Sequence, residues 1–155
     1  MIAQNDIEKY CDSLNLLEAQ KKRVNELFEL VKKTHPDQNI EDIFMSELTQ
    51  KDGKRVHLNL MFFSKSGFIE CASPFEKYDI AITPYSIKGT YLRIEMENPF
   101  DISEPNECSK IIVKSPSGDP TMWGFHVSAS GSNCQKLFYV VQKYIKPNYL
   151  GLSLS

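Results

Sequence analysis

The chain has 155 residues, a formal net charge of -2 and 41% hydrophobic residues, a composition that fits one soluble globular domain with a core of its own. The small excess of acidic side chains gives no overall positive field, which argues against a general nucleic-acid-binding function. No stretch reaches the roughly 18 apolar residues of a membrane-spanning helix, and no apolar leader precedes the first charges, so we expect a cytoplasmic protein without a membrane span.

The cysteines and histidines do not form a recognisable ligand pattern. The four cysteines are scattered, with no C-x-x-C pair and no histidine at zinc-ligand spacing, and we expect them to be reduced. The three histidines form no catalytic or ligand pair with a carboxylate or cysteine that is visible in the sequence, and they are predicted to be ordinary surface residues. We therefore expect no bound metal and no cofactor. These residues are Cys11, Cys71, Cys108, Cys134, His35, His57 and His126.

Residues 1–36 are predicted to form a helical pair. In the first helix, Ile7, Tyr10, Cys11 and Leu14 recur at the spacing of one helical face. A second apolar stripe runs to Lys33 and comprises Leu17, Val24, Leu27, Phe28 and Val31. The opposite face of that helix carries charges of alternating sign, as expected for a solvated surface. The second helix is expected to end at His35-Pro36, because the residue before a proline is disfavoured in the helical region.

Residues 40–146 are predicted to form a β-rich body, beginning with a hairpin. Two strands at residues 43–49 and 54–63 flank the pair Asp52-Gly53, which is favoured in tight turns. Alternation in the second strand places Leu60 and Phe62 on one face and Met61 and Phe63 on the other. Five further strands are predicted at residues 68–72, 78–83, 90–97, 110–114 and 122–128.

The body is predicted to be closed by an amphipathic helix over residues 132–145. Its apolar stripe must be buried, and the sheet is the surface available to it. Ser132 followed by Gln135 predicts a capping box, and Pro147 is expected to end the helix. The stripe comprises Cys134, Leu137, Phe138, Val141, Tyr144 and Ile145. The sequence thus predicts a single α+β domain of mostly antiparallel strands.

Seven strands followed by one closing helix, over residues 40–145, resemble the pleckstrin-homology superfold, in which the last helix plugs a bent barrel. The resemblance implies a bent sheet or a barrel. Members that bind phosphoinositides use a basic first loop, and Lys51, Lys54 and Arg55 stand at that place here. An anionic lipid-headgroup binder is therefore one alternative function.

Asp79, Glu95 and Glu97 form a second candidate site. Residues two apart in a strand point to one face, so Glu95 and Glu97 share a face that can bind a hard divalent cation. The pattern is similar to the metal site of the restriction-type nuclease fold, except that Glu97 stands where that fold has a lysine. This similarity implies a metal-dependent nuclease or hydrolase, whereas ordinary solvent-facing strand residues explain the same pattern without a site.

The hairpin around Lys51, Lys54 and Arg55 is the partner surface that we favour. Met61 and Phe63 lie opposite the predicted buried face of their strand, so either the N-terminal helices cover them or they extend the hairpin surface as an exposed apolar patch. A basic turn beside apolar side chains suits an acidic protein partner. We therefore expect a small non-enzymatic binding or regulatory domain with a protein partner.

Overall fold

The structure is a computed structural model, and it describes residues 1–50, 52–77, 80–86, 93–97, 110–115 and 125–149. It confirms the α+β class, the N-terminal helical pair, the seven predicted strands and the C-terminal helix. The strands form two antiparallel sheets, one of four strands and one of three. Among the described residues, no backbone ladder joins the two sheets into the closed barrel that the pleckstrin-homology resemblance implies.

Two helices open the chain, α1 (Gln4–Ser13) and α2 (Glu18–Thr34). Asn15 has a φ of +55° in the tight turn between them, a conformation that asparagine tolerates better than most residues. The backbone N–H of Leu17 donates to Oε1 of Gln20 at 2.9 Å, which satisfies one of the free N–H groups at the start of α2. Val24, Leu27, Phe28 and Val31 are buried as predicted, whereas Leu17, the first residue of the predicted stripe, precedes α2 and is 70% exposed.

The first sheet has the order β1 (Asp42–Thr49), β2 (Arg55–Ser64), β3 (Gly67–Ala72) and β4 (Ala81–Ser86). The predicted tight turn joins β1 to β2. Gly53 adopts a φ of +78°, and the Lys54 N–H donates to Oδ1 of Asp52 at 2.9 Å. The turn sets the pairing of Glu47 with His57, and a register shift between Ser46 and Glu47 then changes the pairing along β1.

The second sheet has the order β5 (Arg93–Glu97), β6 (Lys110–Ser115) and β7 (Phe125–Ser130). Its last strand lies beside β1, so that an edge of one sheet meets an edge of the other. Side chains join the two strands here. The Ser128 N–H donates to Oγ of Ser46 at 3.0 Å, Oγ of Ser128 donates to the Glu47 carbonyl at 3.1 Å, and the hydroxyls of Thr49 and Ser130 are 2.7 Å apart.

The first sheet is buried on both faces, and each face has its own core. One face packs on α1 and α2 and contributes Ile43, Met45, Leu60 and Phe62. The other contributes Phe44, Met61, Phe63 and Phe68, which meet β7 and the C-terminal helix. The layers therefore run from the helical pair through the first sheet to the second sheet and the C-terminal helix.

The C-terminal helical segment consists of α3 (Asn133–Val140), a π-helical turn (Val141–Ile145) and α4 (Lys146–Tyr149). Two predictions about it are wrong. Ser132 has helical angles and makes no capping hydrogen bond through its side chain. The helix also continues through Pro147, because a proline in the first turn of a helical section lacks only an N–H that needs no partner there, and the π turn precedes it.

Candidate functional site

A buried hydrogen-bond network links the first helix, the first strand and the C-terminal helix. The Tyr10 hydroxyl donates to Oδ1 of Asn133 at 2.8 Å and accepts the Met45 N–H at 2.9 Å. Nδ2 of Asn133 donates to the Met45 carbonyl, also at 2.9 Å. Three residues thus satisfy one another in the interior, although 123 residues separate Tyr10 from Asn133 along the chain.

Glu47 lies beside this network, on β1, and is fully buried. Its Oε2 atom is 3.3 Å from Nε of Arg55 and 3.9 Å from Nδ1 of His57, both on β2. Neither carboxylate oxygen accepts a hydrogen bond of ordinary geometry from a described residue, and the same holds for Nδ1 of His57. The Arg55 guanidinium also donates to the Leu14 carbonyl at 3.2 Å, which ties the hairpin to the end of α1.

The environment pushes the pKa values of Glu47 and His57 in opposite directions, because burial disfavours the charged form of each. Burial raises the pKa of Glu47, while Arg55 and the Asn133 amide oppose that rise. Burial lowers the pKa of His57, and the positive charge of Arg55 lowers it further. Since Glu47 has no solvent-exposed surface, this acid and base pair sits inside the fold, where its partners are other side chains.

The three described cysteines, Cys11, Cys71 and Cys134, are buried and form no disulfide with one another. Burial is the main cause that raises the pKa of Cys11 to about 11 and that of Cys71 to about 12. The reactive thiolate form is therefore scarce at neutral pH. Cys108 lies outside the described residues.

Of the three residues in the predicted carboxylate site, the structure describes the side chain of Glu95 alone. Oε1 of Glu95 is 3.0 Å from Nε of Arg93 on the same strand, so a cation from the protein itself already neighbours this carboxylate. Asp79 lies outside the described residues, as does the side chain of Glu97. Within the described part of the chain, no three histidine, cysteine or carboxylate side chains converge as the ligands of a metal ion would.

The predicted basic hairpin is only partly turned towards solvent. Lys54 is exposed, as predicted. Arg55 is also exposed, with 36% of its side-chain surface open to solvent, but its guanidinium contacts Glu47 and the Leu14 carbonyl and so holds the hairpin against α1. Lys51 lies outside the described residues.

Met61 and Phe63 belong to the core, which corrects their placement in an exposed partner surface. Met61 is 1% exposed and Phe63 is fully buried. The N-terminal helices do not cover them, because those helices lie on the opposite face of the sheet. The Phe63 ring instead stacks on Tyr144 of the C-terminal helical segment at 5.3 Å between centroids.

The outer side of the C-terminal helical segment carries charge of one sign. All the charged residues between 133 and 149 are lysines. We call the set Gln135, Lys136, Tyr139, Gln142, Lys143 and Lys146 the lysine–tyrosine face. Its members are exposed except for Lys136, which is half-buried. Tyr139, at 45% exposure, is among the few large hydrophobic side chains of the described chain that remain open to solvent.

Aromatic contacts hold two of these lysines in place. Nζ of Lys136 lies 5.1 Å from the Tyr139 ring centroid, a distance typical of a cation–π interaction. Nζ of Lys143 lies 5.4 Å from the same centroid, at the hydroxyl edge of the ring. Nζ of Lys143 also donates to the Tyr139 hydroxyl at 2.9 Å, and hydrogen bonds to Tyr139 and Tyr144 raise its pKa. Lys136 pairs with the buried carboxylate of Asp42. The face is therefore ordered before any partner binds.

The outer side of α1 and α2 differs in its charges. A shallow groove of about 990 Å³ lies there, lined by both acidic and basic residues. Its cations have acidic neighbours within the same surface: Nζ of Lys21 is 2.6 Å from Asp12 and 2.8 Å from Glu18, and Arg23 is 3.4 Å from Glu26. This surface largely neutralises itself. The lysine–tyrosine face has three lysines and no acidic member, and although Asp42 pairs with Lys136, the face keeps an excess of positive charge.

No protein-family model, curated protein or solved structure matches the chain. In the part of the chain that the structure describes, no helix combines the length and the apolar character needed to cross a bilayer.

The sequence contained a signal for the Glu47 and His57 pair that the prediction missed. The hairpin turn is centred on Asp52, where the Gln50 N–H donates to the Lys54 carbonyl, and counting five residues outward in each direction from Asp52 places Glu47 opposite His57. Assigning His57 to an outward face, without its cross-strand neighbour, left it among ordinary surface histidines. For the lysine–tyrosine face, the signal was the absence of acidic residues on the polar side of the last helix.

Proposed function

We propose that this chain is a non-enzymatic protein-binding domain that contacts an acidic polypeptide through the lysine–tyrosine face. The observation that carries the proposal is the charge of that face, where three lysines flank an exposed tyrosine. In an acidic chain with a net charge of -2, such a face attracts negative partners and orients them before contact. Tyrosine adds a large contact area with few rotatable bonds, which suits a binding surface.

A polypeptide fits this face better than a lipid bilayer does. A helix that binds in the membrane interface inserts an apolar side among the lipid chains. Here the apolar side of the segment is occupied by the core, where Leu137, Val140, Val141 and Ile145 are at most 2% exposed. Tyr139 is the large apolar side chain that the outer side presents, which favours contact with another protein surface.

The proposal can be tested by fluorescence anisotropy with a labelled polyglutamate peptide of about 20 residues. We expect binding at low salt that weakens as ionic strength rises. The double variant Lys143→Glu, Lys146→Glu should bind about tenfold more weakly, which corresponds to a loss of about 1.4 kcal/mol. Lys54→Glu, on the hairpin, and Lys22→Glu, on α2, are exposed controls that should change the affinity less than the double variant.

The competing assignments give different results in the same assay. If Lys54→Glu weakens peptide binding more than the double variant does, the hairpin is the contact surface. If vesicles rich in phosphatidylserine bind through Lys143 and Lys146 while the peptide does not, the partner is an anionic lipid surface. Either result would overturn the proposal.

A further inference from the structure

Tyr139 and its two neighbouring lysines form a row along the helix. Positions 136, 139 and 143 are separated by three and four residues, so they recur along one side of the helix. Both ammonium groups lie about 5 Å from the ring centroid, that of Lys143 beside the hydroxyl. These two distances set an upper limit of about 10.5 Å on the separation of the two Nζ atoms.

Two carboxylates on one face of a second α-helix can lie within this limit. Residues four apart on a helix are about 6 Å apart along the axis and residues seven apart are about 10.5 Å, and both spacings keep side chains on one face. Helices that pack side by side use the same alternation of three and four residues to align their contacts. An acidic helix can thus place one carboxylate near each lysine and an apolar side chain over the ring between them.

We infer that the partner segment is an acidic α-helix whose carboxylates lie on one face, four or seven residues apart, with an apolar residue between them that packs on Tyr139. This inference rests on the proposed function and specifies its partner. Charge complementarity is its main support. The half-buried Lys136, already paired with Asp42, provides the fixed end of the site, and Lys143 and Lys146 provide the exposed cations.

Two synthetic peptides of about 21 residues can test the inference. Both have the same composition and the same measured helicity, but the first carries glutamates and leucines on one face and the second distributes them around the helix. We expect the first to bind about tenfold more tightly. Equal affinities would overturn the inference and leave the proposed function standing, whereas no charge-dependent binding of either peptide would overturn the proposed function as well.

Variants at Tyr139 separate the role of the ring from that of the charges. Tyr139→Phe keeps the ring between the lysines and should keep the preference for the first peptide. Tyr139→Ala removes the apolar contact and should reduce the preference to about twofold or less. A preference that survives Tyr139→Ala unchanged would show that the apolar residue of the partner does not pack there.

A second copy of the chain is the competing occupant of this face. Sedimentation equilibrium of the protein alone decides between the two, and we expect a monomer over the concentration range of the binding assay. A dimer that Lys143→Glu dissociates would overturn the inference, since the face would then be an interface between two copies. Lys54→Glu is the matched control for that measurement.

Discussion

Removing the Tyr10 hydroxyl should destabilise the fold far more than the loss of one oxygen atom suggests. In Tyr10→Phe, the Met45 N–H and Oδ1 of Asn133 both lose their partner. Met45 is 1% exposed and Asn133 is 3% exposed, so water has little access to either. Nδ2 of Asn133 remains bonded to the Met45 carbonyl, which restrains the amide from turning towards another donor.

The magnitude follows from the number of groups left without a partner. A buried polar group without a hydrogen bond costs about 1–3 kcal/mol, and two are created here. The substitution also removes a hydroxyl whose own burial is costly, which offsets part of the loss. We expect a net destabilisation of about 2–4 kcal/mol, a large fraction of the 5–15 kcal/mol that typical domains have.

Urea denaturation of the parent and the variant measures this difference, and the dependence of unfolding free energy on urea should keep its slope. Tyr139→Phe is the matched control: its hydroxyl is on the exposed side of the helix, and its removal should change stability by about 0.5 kcal/mol or less. Hydrogen exchange at the Met45 amide should accelerate in Tyr10→Phe. A loss below about 0.5 kcal/mol would refute the reasoning, because the network would then have no energetic role.

Three further predictions concern the core, the hairpin and the thiols. Leu137→Ala should cost about 2–5 kcal/mol in urea denaturation, and Phe138→Ala should cost less because Phe138 is only partly buried against the same core; equal costs would contradict this. Arg55→Glu should lose about 1–3 kcal/mol, because it leaves buried Glu47 without its cation, although solvent reaches position 55 and screens part of the effect; exposed Lys54→Glu should have little effect on thermal unfolding. All four cysteines should react with a thiol reagent in denaturant without reductant, and a lower count would reveal a disulfide.

The sequence predicted the helices and strands well because their signals are local. The period of the apolar residues changes from helical to alternating near Ile40, and the Asp52-Gly53 pair marks the first hairpin; both predictions agree with the structure. The stripe of the last helix is buried as predicted, except that Phe138 is half-buried. A local pattern of this kind needs no knowledge of which element packs on which.

The predictions that failed depend on packing between distant segments. Alternation separated Met61 and Phe63 from Leu60 and Phe62, but it could not tell that both faces of the sheet would be buried, one by α1 and α2 and the other by the second sheet and the C-terminal helix. The hydrogen bond between the Tyr10 hydroxyl and Asn133 joins α1 to α3, which lie far apart in the sequence. Contacts between residues so far apart in the sequence produce no periodic pattern in it. In this protein such contacts determine which polar residues are buried as part of the core.

Buried Glu47 and His57 should make stability depend on pH with opposite signs. The pKa of Glu47 is raised above its ordinary 4.5, so the folded state holds that proton more tightly than the unfolded state does. Its contribution to stability is present below pH 4.5 and is lost as the pH rises through the folded pKa. The pKa of His57 is lowered below 6.5, so its contribution is present above pH 6.5 and is lost as the pH falls through the folded pKa.

The two groups can be separated by measuring unfolding free energies in urea from pH 4 to pH 8 for the parent, Glu47→Gln and His57→Gln, because the titrations of distant groups cancel in the differences. As the pH rises above 4.5, the parent should lose stability relative to Glu47→Gln; as it falls below 6.5, the parent should lose stability relative to His57→Gln. Each pH unit between the folded and unfolded pKa values is worth about 1.4 kcal/mol. Differences that do not change with pH would mean that neither side chain is in the desolvated environment described here, and slopes of the same sign would mean that the charge of Arg55, rather than burial, governs both groups.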